Sequence, residues 1–350
     1  MQTITVTKFE EGQKLFKLLQ KYLSAANTSF LYKMLRKKNI TLNGKRADGK
    51  ELLVCGDAIT FFLSDETIIK FGGSFDTINT IKEDIRKDTA AENSINPEKN
   101  KKYPFDILYE DDDLLFVSKP AGILTQKADA NDISLNESII EYLMDSGAVP
   151  RQKLAAFRPG VCNRLDRNTS GIVAAGKTVS GLQFLSEAFR ERTIKKYYYC
   201  IVQGMLYNKA YLDGFLKKDS STNKVFVLPL KDSEKAVKLG CVRIQTAYRP
   251  VLAANGFTLL EVELITGKTH QIRAHLSFQG NPILGDVKYG GKQEVQESKL
   301  NYQLLHAGKL CFGKIEGRFS YITGKTIEAE LPELFRETWR KITGQDVGSL

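Results

Sequence analysis

Cys162-Asn163-Arg164-Leu165-Asp166-Arg167-Asn168-Thr169-Ser170-Gly171, running directly into Ile172-Val173-Ala174-Ala175, is the stretch from which the rest of the chain can be read. Its second half is a short apolar run behind turn-forming residues, the pattern of a buried strand. Its first half places an acid between two arginines on the loop that enters that strand. Flanking positive charge favours an ionised carboxylate, and a strand end would hold it rigidly. Asp166 is therefore a candidate reactive carboxylate, with Arg164 and Arg167 beside it. The same residues also read as a salt-bridged surface turn in which Asn168 and Gly171 are the turn formers. Pattern alone leaves both readings open.

Two further segments combine polar and apolar residues in the same way. In Lys195-Lys196-Tyr197-Tyr198-Tyr199-Cys200-Ile201-Val202-Gln203-Gly204, a period of two puts Tyr198, Cys200 and Val202 on one face and Tyr197, Tyr199 and Ile201 on the other. One tyrosine face can pack on a core while the other borders a cleft, although sheet packing alone would account for all three. In Thr266-Gly267-Lys268-Thr269-His270-Gln271-Ile272-Arg273-Ala274-His275-Leu276, a strand ends at the Thr-Gly turn and a helix begins near Thr269. Ile272 and Leu276 mark the buried face of that helix, and Arg273 sits beside it where a guanidinium could pair with a carboxylate. His270 and His275 are five apart, not the four of a helical zinc pair, and no cysteine accompanies them, so no metal site is expected.

Around these segments the chain divides by texture. Residues 1–64 form a compact basic unit, with helical spacing over Gln13 to Ser24 and Ser29 to Lys38, then Ile40-Thr41-Leu42 running into the Asn43-Gly44 turn and a strand from Ala58. Residues 65–103 read as a polar linker whose first part, Ile68 to Phe75, is apolar enough to pack. From 104 to 345 strands and helices alternate. Leu114-Leu115-Phe116-Val117, Lys196 to Val202 and Phe257 to Leu264 read as strands; Leu135 to Met144 and Val179 to Glu191 read as helices. The expected fold class is α+β: a mixed, mostly antiparallel sheet flanked by helices, plus a small α/β unit in front. No Rossmann or P-loop glycine pattern occurs, so no nucleotide cofactor is expected.

Composition sets wider bounds. The 350 residues are 42% hydrophobic and 10% aromatic, enough to fill a sizeable core. No apolar run approaches the roughly 20 residues needed to span a bilayer, and no membrane partner is expected. The opening Met1-Gln2-Thr3-Ile4-Thr5-Val6 lacks the order of a secretory signal. Cys55, Cys162, Cys200, Cys241 and Cys311 lie far apart, which suits a reduced, cytoplasmic protein with buried thiols. A formal charge of +10 favours polyanionic partners.

The order of these segments resembles the pseudouridine synthases of the RluA, RluC and RluD type. Asn163 to Gly171 resembles their HRLDxxTSG motif, with Asn163 standing where the family more often has His. Ile107 to Asp112 with Lys119-Pro120-Ala121-Gly122 is similar to their opening strand and KPAG turn. Lys196-x-Tyr198-x-Cys200-x-Val202-x-Gly204 is similar to their KxYxAxVxG strand, with Cys200 in place of Ala. Thr266 to Leu276 is similar to TGRxHQIRxHL. Gly280-x-Pro282-Ile283-x-Gly285-Asp286-x-x-Tyr289-Gly290 and Leu305-His306-Ala307 follow in the family's order. The amino-terminal unit resembles the S-four RNA-binding domain more loosely, with Lys14-Leu15-Phe16 where an arginine-rich helix start is usual.

The resemblance implies an isomerase of RNA that detaches uracil from its ribose, turns it, and rejoins it through carbon 5, with no cofactor. It implies Asp166 as the essential carboxylate, Arg273 as its partner, and Tyr198 stacked on the base or moving a proton. A base inside folded RNA must be flipped out, and Arg164 matches the position that fills the vacated space. Arg167, Lys119 and His270 lie in the matching segments and are further expected RNA contacts, as are Lys33, Arg36, Lys37 and Lys38 at a basic helix end. The partner expected is structured RNA, chiefly ribosomal RNA of the large subunit. The alternatives are a tRNA target, a non-catalytic ribosome-assembly factor that keeps the fold, and a hydrolase using Asp166 with His270 or His275; the last lacks a metal cluster or a nucleophile elbow.

Overall fold

The computed structural model describes residues 1–72, 103–129, 132–150, 154, 157–219, 224–295 and 298–348. In the amino-terminal unit, β1 (Gln2–Thr5), α1 (Leu15–Tyr22), α2 (Thr28–Arg36), β2 (Ile40–Leu42), β3 (Lys45–Arg46) and β4 (Ala58–Phe61) form a sheet in the order β1-β4-β2-β3 under two helices. Asn43 and Gly44 both take positive φ, as the tight turn between β2 and β3 requires. Asn27 caps α2 by accepting from Phe30 N–H at 2.8 Å. Helix α1 has no side-chain cap. Its first N–H groups, on Leu15 and Phe16, donate to the carbonyls of Glu51 and Gly49 instead. Leu15, Leu18 and Leu19 of α1 meet Leu31, Met34 and Leu35 of α2 in the core.

That core also takes in Ile68, on a short helix α3 (Asp65–Lys70) capped by Ser64, and Phe71 packs against Phe30 with ring centroids 4.4 Å apart. The boundary expected at residue 64 therefore moves to about Phe71, because apolar side chains beyond it have a core to join. Residues 73–102, the greater part of the expected linker, lie outside the described residues.

The second unit follows as β5 (Asp106–Glu110), β6 (Leu114–Lys119), α4 (Leu135–Asp145), β7 (Gly160–Val161), β8 (Ser170–Gly176), α5 (Val179–Glu191), β9 (Ile194–Gln203), β10 (Ala210–Asp219), β11 (Lys224–Pro229), α6 (Ser233–Lys238), β12 (Val242–Ala254), β13 (Phe257–Leu264), α7 (Gln271–Phe278), the hairpin β14 (Glu294–Val295) and β15 (Ser298–Lys299), β16 (Leu305–Phe312), β17 (Thr326–Glu328) and α8 (Glu333–Thr343). The main sheet runs β11-β10-β12-β13-β9-β16-β8-β6-β5, with β17 on β16 and β7 on β8. Among the described residues of this sheet only the β16–β8 strand pair is parallel, so the sheet is mixed and mostly antiparallel, as the sequence led us to expect. In that parallel pair Gly171 takes φ +113, and a Cβ there would lie 2.2 Å from the carbonyl oxygen of Ala307. Only glycine allows the two backbones this close.

Both faces of the sheet are covered, which is why its central strands read as unbroken apolar runs. Leu115 and Val117 face one cluster with α4 and α7, while Leu114 and Phe116 face another with α5. The tyrosine strand alternates as its period demands. Tyr198, Cys200 and Val202 enter the cluster holding Leu165, Ile272 and Leu276; Tyr199 and Ile201 enter the one holding Trp339 and Phe335 of α8. Burying a large apolar side chain contributes about 1.5–3 kcal/mol, so these clusters hold the strand that carries Tyr198 rigidly. Of the cysteines, Cys200 is buried, Cys55 is exposed and the other three are intermediate, so the expectation of buried thiols holds for Cys200 alone. Among the described residues no helix is long and apolar enough to cross a membrane.

The two units touch. Phe9 leaves the first and buries its ring in the cluster of Leu115 and Val149. Arg318 donates to Glu11 of the first unit and to Asp113 of the second, both at 2.9 Å, and Ser180 at the start of α5 donates to the Glu11 carbonyl.

Candidate active site

The Asp166 loop is held from below by the burial of Leu165 and by side chains that bond to backbone groups. Asn163 lies against β8, its Nδ2 donating to the carbonyl of Ile172 at 3.0 Å and its Oδ1 accepting from Ala174 N–H at 2.8 Å. Its amide thus copies a strand residue, and two orphan groups of β8 are satisfied where the chain departs from the strand. Thr125 pins Leu165, two residues on, accepting from its N–H and donating to its carbonyl. On the far side Gln303 donates to the Thr169 hydroxyl at 3.2 Å, and Ser170 meets His306.

Lys119 completes the support. It is fully buried, and its ammonium donates to the carbonyls of Pro120, Ile123 and Arg167 at 2.9, 2.9 and 3.0 Å. All three donors of the ammonium are used. Burial pulls the group down to about 8 while the charge of Asp166 pulls it back up. The expectation that Lys119 contacts RNA is therefore corrected: its charge lies beneath the loop, where no phosphate reaches it.

Asp166 stands above this support with its side chain 28% exposed. Arg273 Nη1 donates to Asp166 Oδ2 at 3.0 Å, the pairing that the resemblance implied. The other edge of the same guanidinium meets Asp286: Nε donates to Oδ2 at 2.7 Å and Nη2 to Oδ1 at 2.8 Å. Burial works against the charge of Arg273, but the bonds to Asp286 and the charges of both carboxylates push its pKa up. The guanidinium also lies over the Tyr289 ring, 5.2 Å from its centroid.

Helix α7 delivers Arg273, and not as an amphipathic surface helix. Gln271 through Leu276 are all buried, so the expected stripe of Ile272 and Leu276 is only part of its packed surface. Gln271 anchors the first turn by accepting from Lys268 N–H and the Thr266 hydroxyl and donating to the Gln245 carbonyl. His270, in the left-handed region at φ 53, precedes it. Its Nδ1 is 2.9 Å from the Tyr289 hydroxyl, which itself accepts from Val225 N–H at 3.0 Å. That leaves the hydroxyl proton for Nδ1 and puts the imidazole proton on Nε2, 3.7 Å from Asp166. Burial lowers the pKa of His270 despite the neighbouring carboxylate, so the ring is neutral near pH 7. His275 is elsewhere, buried against Thr246 with its pKa lowered to about 4 by burial.

Tyr198 lies below, 7% exposed, its phenol raised far above the usual range by burial and then by the field of Asp166. It is a neutral phenol at every pH the protein meets. Arg164 and Arg167 are exposed on either side of Asp166. Lys33, Arg36, Lys37 and Lys38 belong to the amino-terminal unit, all exposed at the carboxyl end of α2, where cations oppose the helix dipole favourably. Lys33 and Arg36 line a cavity of about 580 Å³ together with Tyr32 and Arg46.

Sequence reasoning missed Asp286 as a partner of Arg273. The Gly285-Asp286 pair was visible within a matching segment, but nothing in the sequence joins an acid to an arginine thirteen positions earlier. Nor did it give Asn163 or Lys119 their supporting roles.

The family model for RNA pseudouridylate synthase matches residues 113–278, which span β6 to α7 and hold Asp166, Tyr198 and Arg273. An uncharacterized RNA pseudouridine synthase of Mycoplasma capricolum is 31% identical over 332 residues, covering 93% of this chain and 97% of the relative. The ribosomal large subunit pseudouridine synthase C of Rickettsia conorii is 30% identical over 329 residues, covering 93% and 95%. Among solved structures, human RNA pseudouridylate synthase domain containing 4 shares the fold with a TM-score of 0.53 at 22% identity, over 67% of this chain and 92% of that one. A relative that matches this chain almost end to end at 31% identity, joined to a family model that spans the Asp166 loop, places the chain in the RNA pseudouridine synthase family of isomerases.

Proposed function

We propose that this enzyme isomerises uridines in structured ribosomal RNA of the large subunit, with Asp166 as the reacting carboxylate. The observation that carries the reading is the partly exposed Asp166 carboxylate fixed by Arg273 at 3.0 Å. The bond between N1 and the anomeric carbon breaks, and one from C5 to that carbon forms. The C5 proton leaves and N1 gains one, so the reaction balances without a cofactor. Asp166 acts at the anomeric carbon, where positive charge develops as the base departs. Arg273 sets its direction. Tyr198, a neutral phenol, packs on the uracil and can give a proton but has no phenolate with which to take one.

Arg164 and Arg167 flank the site with planar cations suited to an unstacked strand and its phosphates. The likeness to a ribosomal large subunit synthase over more than nine-tenths of both chains supports the ribosomal target. The amino-terminal unit serves as an S-four-like RNA-binding module through Lys33, Arg36, Lys37 and Lys38, joined by Arg46. A formal charge of +10 supports both contacts, and the reduced cysteines suit a cytoplasmic setting.

The test is RNA from cells lacking the protein, mapped by carbodiimide-dependent reverse-transcription stops. Stops lost from the large-subunit RNA should return with the wild-type gene and not with Asp166→Asn. If no stop is lost, and purified protein forms no pseudouridine in bare transcripts, the reading fails.

A further inference from the structure

The guanidinium of Arg273 is divided between two carboxylates in an unequal way. Asp286 takes Nε and Nη2 as a fork at 2.7 and 2.8 Å, while Asp166 receives Nη1 alone at 3.0 Å. Asp286 is 1% exposed and opens the turn Val287–Tyr289, tied down by Tyr289 and Gly291 N–H donating to its carbonyl. A buried carboxylate costs free energy unless it is paired and fully bonded. Holding Asp166 against Arg273 needs no second acid, so the second acid calls for a reason.

We infer that Asp286 is a positioning residue for the isomerisation: it fixes the plane of Arg273 and takes up most of its charge, so that Asp166 is aimed without being neutralised. This rests on the reading of Asp166 as the reacting carboxylate. The geometric half follows from the fork. With Nε and Nη2 both engaged, the guanidinium cannot turn about its stem, and its planarity then gives Nη1 one direction. The Tyr289 ring closes one face.

The electrostatic half follows from counting charges. A lone Asp166–Arg273 pair sums to zero, and a carboxylate so matched is a poor donor of electrons to the anomeric carbon. With Asp286 the cluster of three carries one net negative charge. The groups facing Asp166 are Arg273 on α7, His270 before it, Lys288 and Tyr289 on the turn, Tyr198 on β9 and Lys119 at the end of β6. Of these, Arg273, Lys288 and Lys119 are the cations, and Asp286 is the anion set against them.

The experiment is Asp286→Asn in the full chain, beside Asp166→Asn, on the transcript identified by the mapping. Steady-state kcat and KM are measured for each protein. Asp286→Asn should lower kcat about ten- to a hundredfold, as loss of alignment does, and leave KM within about twofold. Wild-type kcat, or a KM that rises as far as kcat falls, overturns the inference. If Asp166→Asn stays active, it is instead the reading of Asp166 that fails. Should Asp286→Asn not fold, the wild-type protein carries the test: a guanidinium held by the fork gives Arg273 separate, slowly exchanging Nη signals by nitrogen NMR. A single averaged signal overturns the inference.

Discussion

Ser170 Oγ lies 2.9 Å from His306 Nδ1, while His306 Nε2 faces the carbonyl of Ala329 at 3.2 Å. Nε2 must donate to that carbonyl, so Nδ1 accepts from the serine and the imidazole is neutral. The serine of the Asp166 motif is in this way tied to β16 by a histidine that has no room to charge. Burial takes the pKa of His306 down to about 4. The unfolded chain binds that proton near pH 6.5 and the folded one does not, so stability falls as pH drops from about 6.5 towards 4. The full contribution is about 3 kcal/mol for such a group. Urea midpoints measured from pH 7 downward should fall accordingly, and His306→Asn should make the slope shallower, leaving the share of His275, which burial also lowers to about 4. An unchanged slope would show that the histidine is not held neutral.

Asn163 makes a second prediction. Its amide both gives and takes a hydrogen bond along β8, and a neutral imidazole can do the same through its two nitrogens. Asn163→His should therefore stay close to wild-type rate. Asn163→Ala leaves two backbone groups unpaired and should lose about 1–3 kcal/mol of stability, with kcat reduced more than KM. Single-turnover rates and urea midpoints on the three proteins decide it. If the His variant is worse than the Ala variant, bidentate pairing is not the role of this residue.

Lys119 yields a third. Lys119→Met keeps the length of the side chain and removes the three bonds that join the Pro120 turn to the Asp166 loop. The variant should lose on the order of 3 kcal/mol of stability and most of its kcat. Its affinity for transcript, read by filter binding, should be unchanged. A Lys119 that touched RNA would show the reverse pattern, weaker binding with stability intact.

These residues also show how far the sequence could be read. Helix α5 over Val179–Glu191 and strand β13 over Phe257–Leu264 fall where periodicity puts them, because each has one strong local pattern and clear ends. The two faces of the Tyr198 strand follow from period two alone. What was not legible is pairing at a distance. Asn163 reads only as a residue standing where the family has His, and Lys119 as an RNA contact; their supporting roles emerge only once β8 and the Pro120 turn are adjacent. Asp286 meets Arg273 only because the turn at Val287 folds back on α7. Strands β10 to β12 are held by one another and by α7, through contacts between segments that no local pattern joins.

The seam between the two units gives the last prediction. If the amino-terminal unit binds RNA, where it docks decides which nucleotides reach Asp166, and the docking rests on few groups. Among the described residues of the first unit, Phe9 carries the apolar part into the second unit's core, and Arg318 bridges Glu11 and Asp113. Phe9→Ala should cost about 3 kcal/mol at this contact, whereas Arg318→Ala, being half exposed, should cost about 1 kcal/mol or less. Phe9→Ala should thus release the unit while both cores stay folded, enlarging the radius of gyration in solution scattering. On a short hairpin that reaches only Asp166, its rate should match wild type. On long ribosomal transcript kcat/KM should fall about tenfold, a loss of about 1.4 kcal/mol in guidance. Equal losses on both substrates would mean that Phe9 supports the catalytic unit itself, and that the seam does not select the uridine.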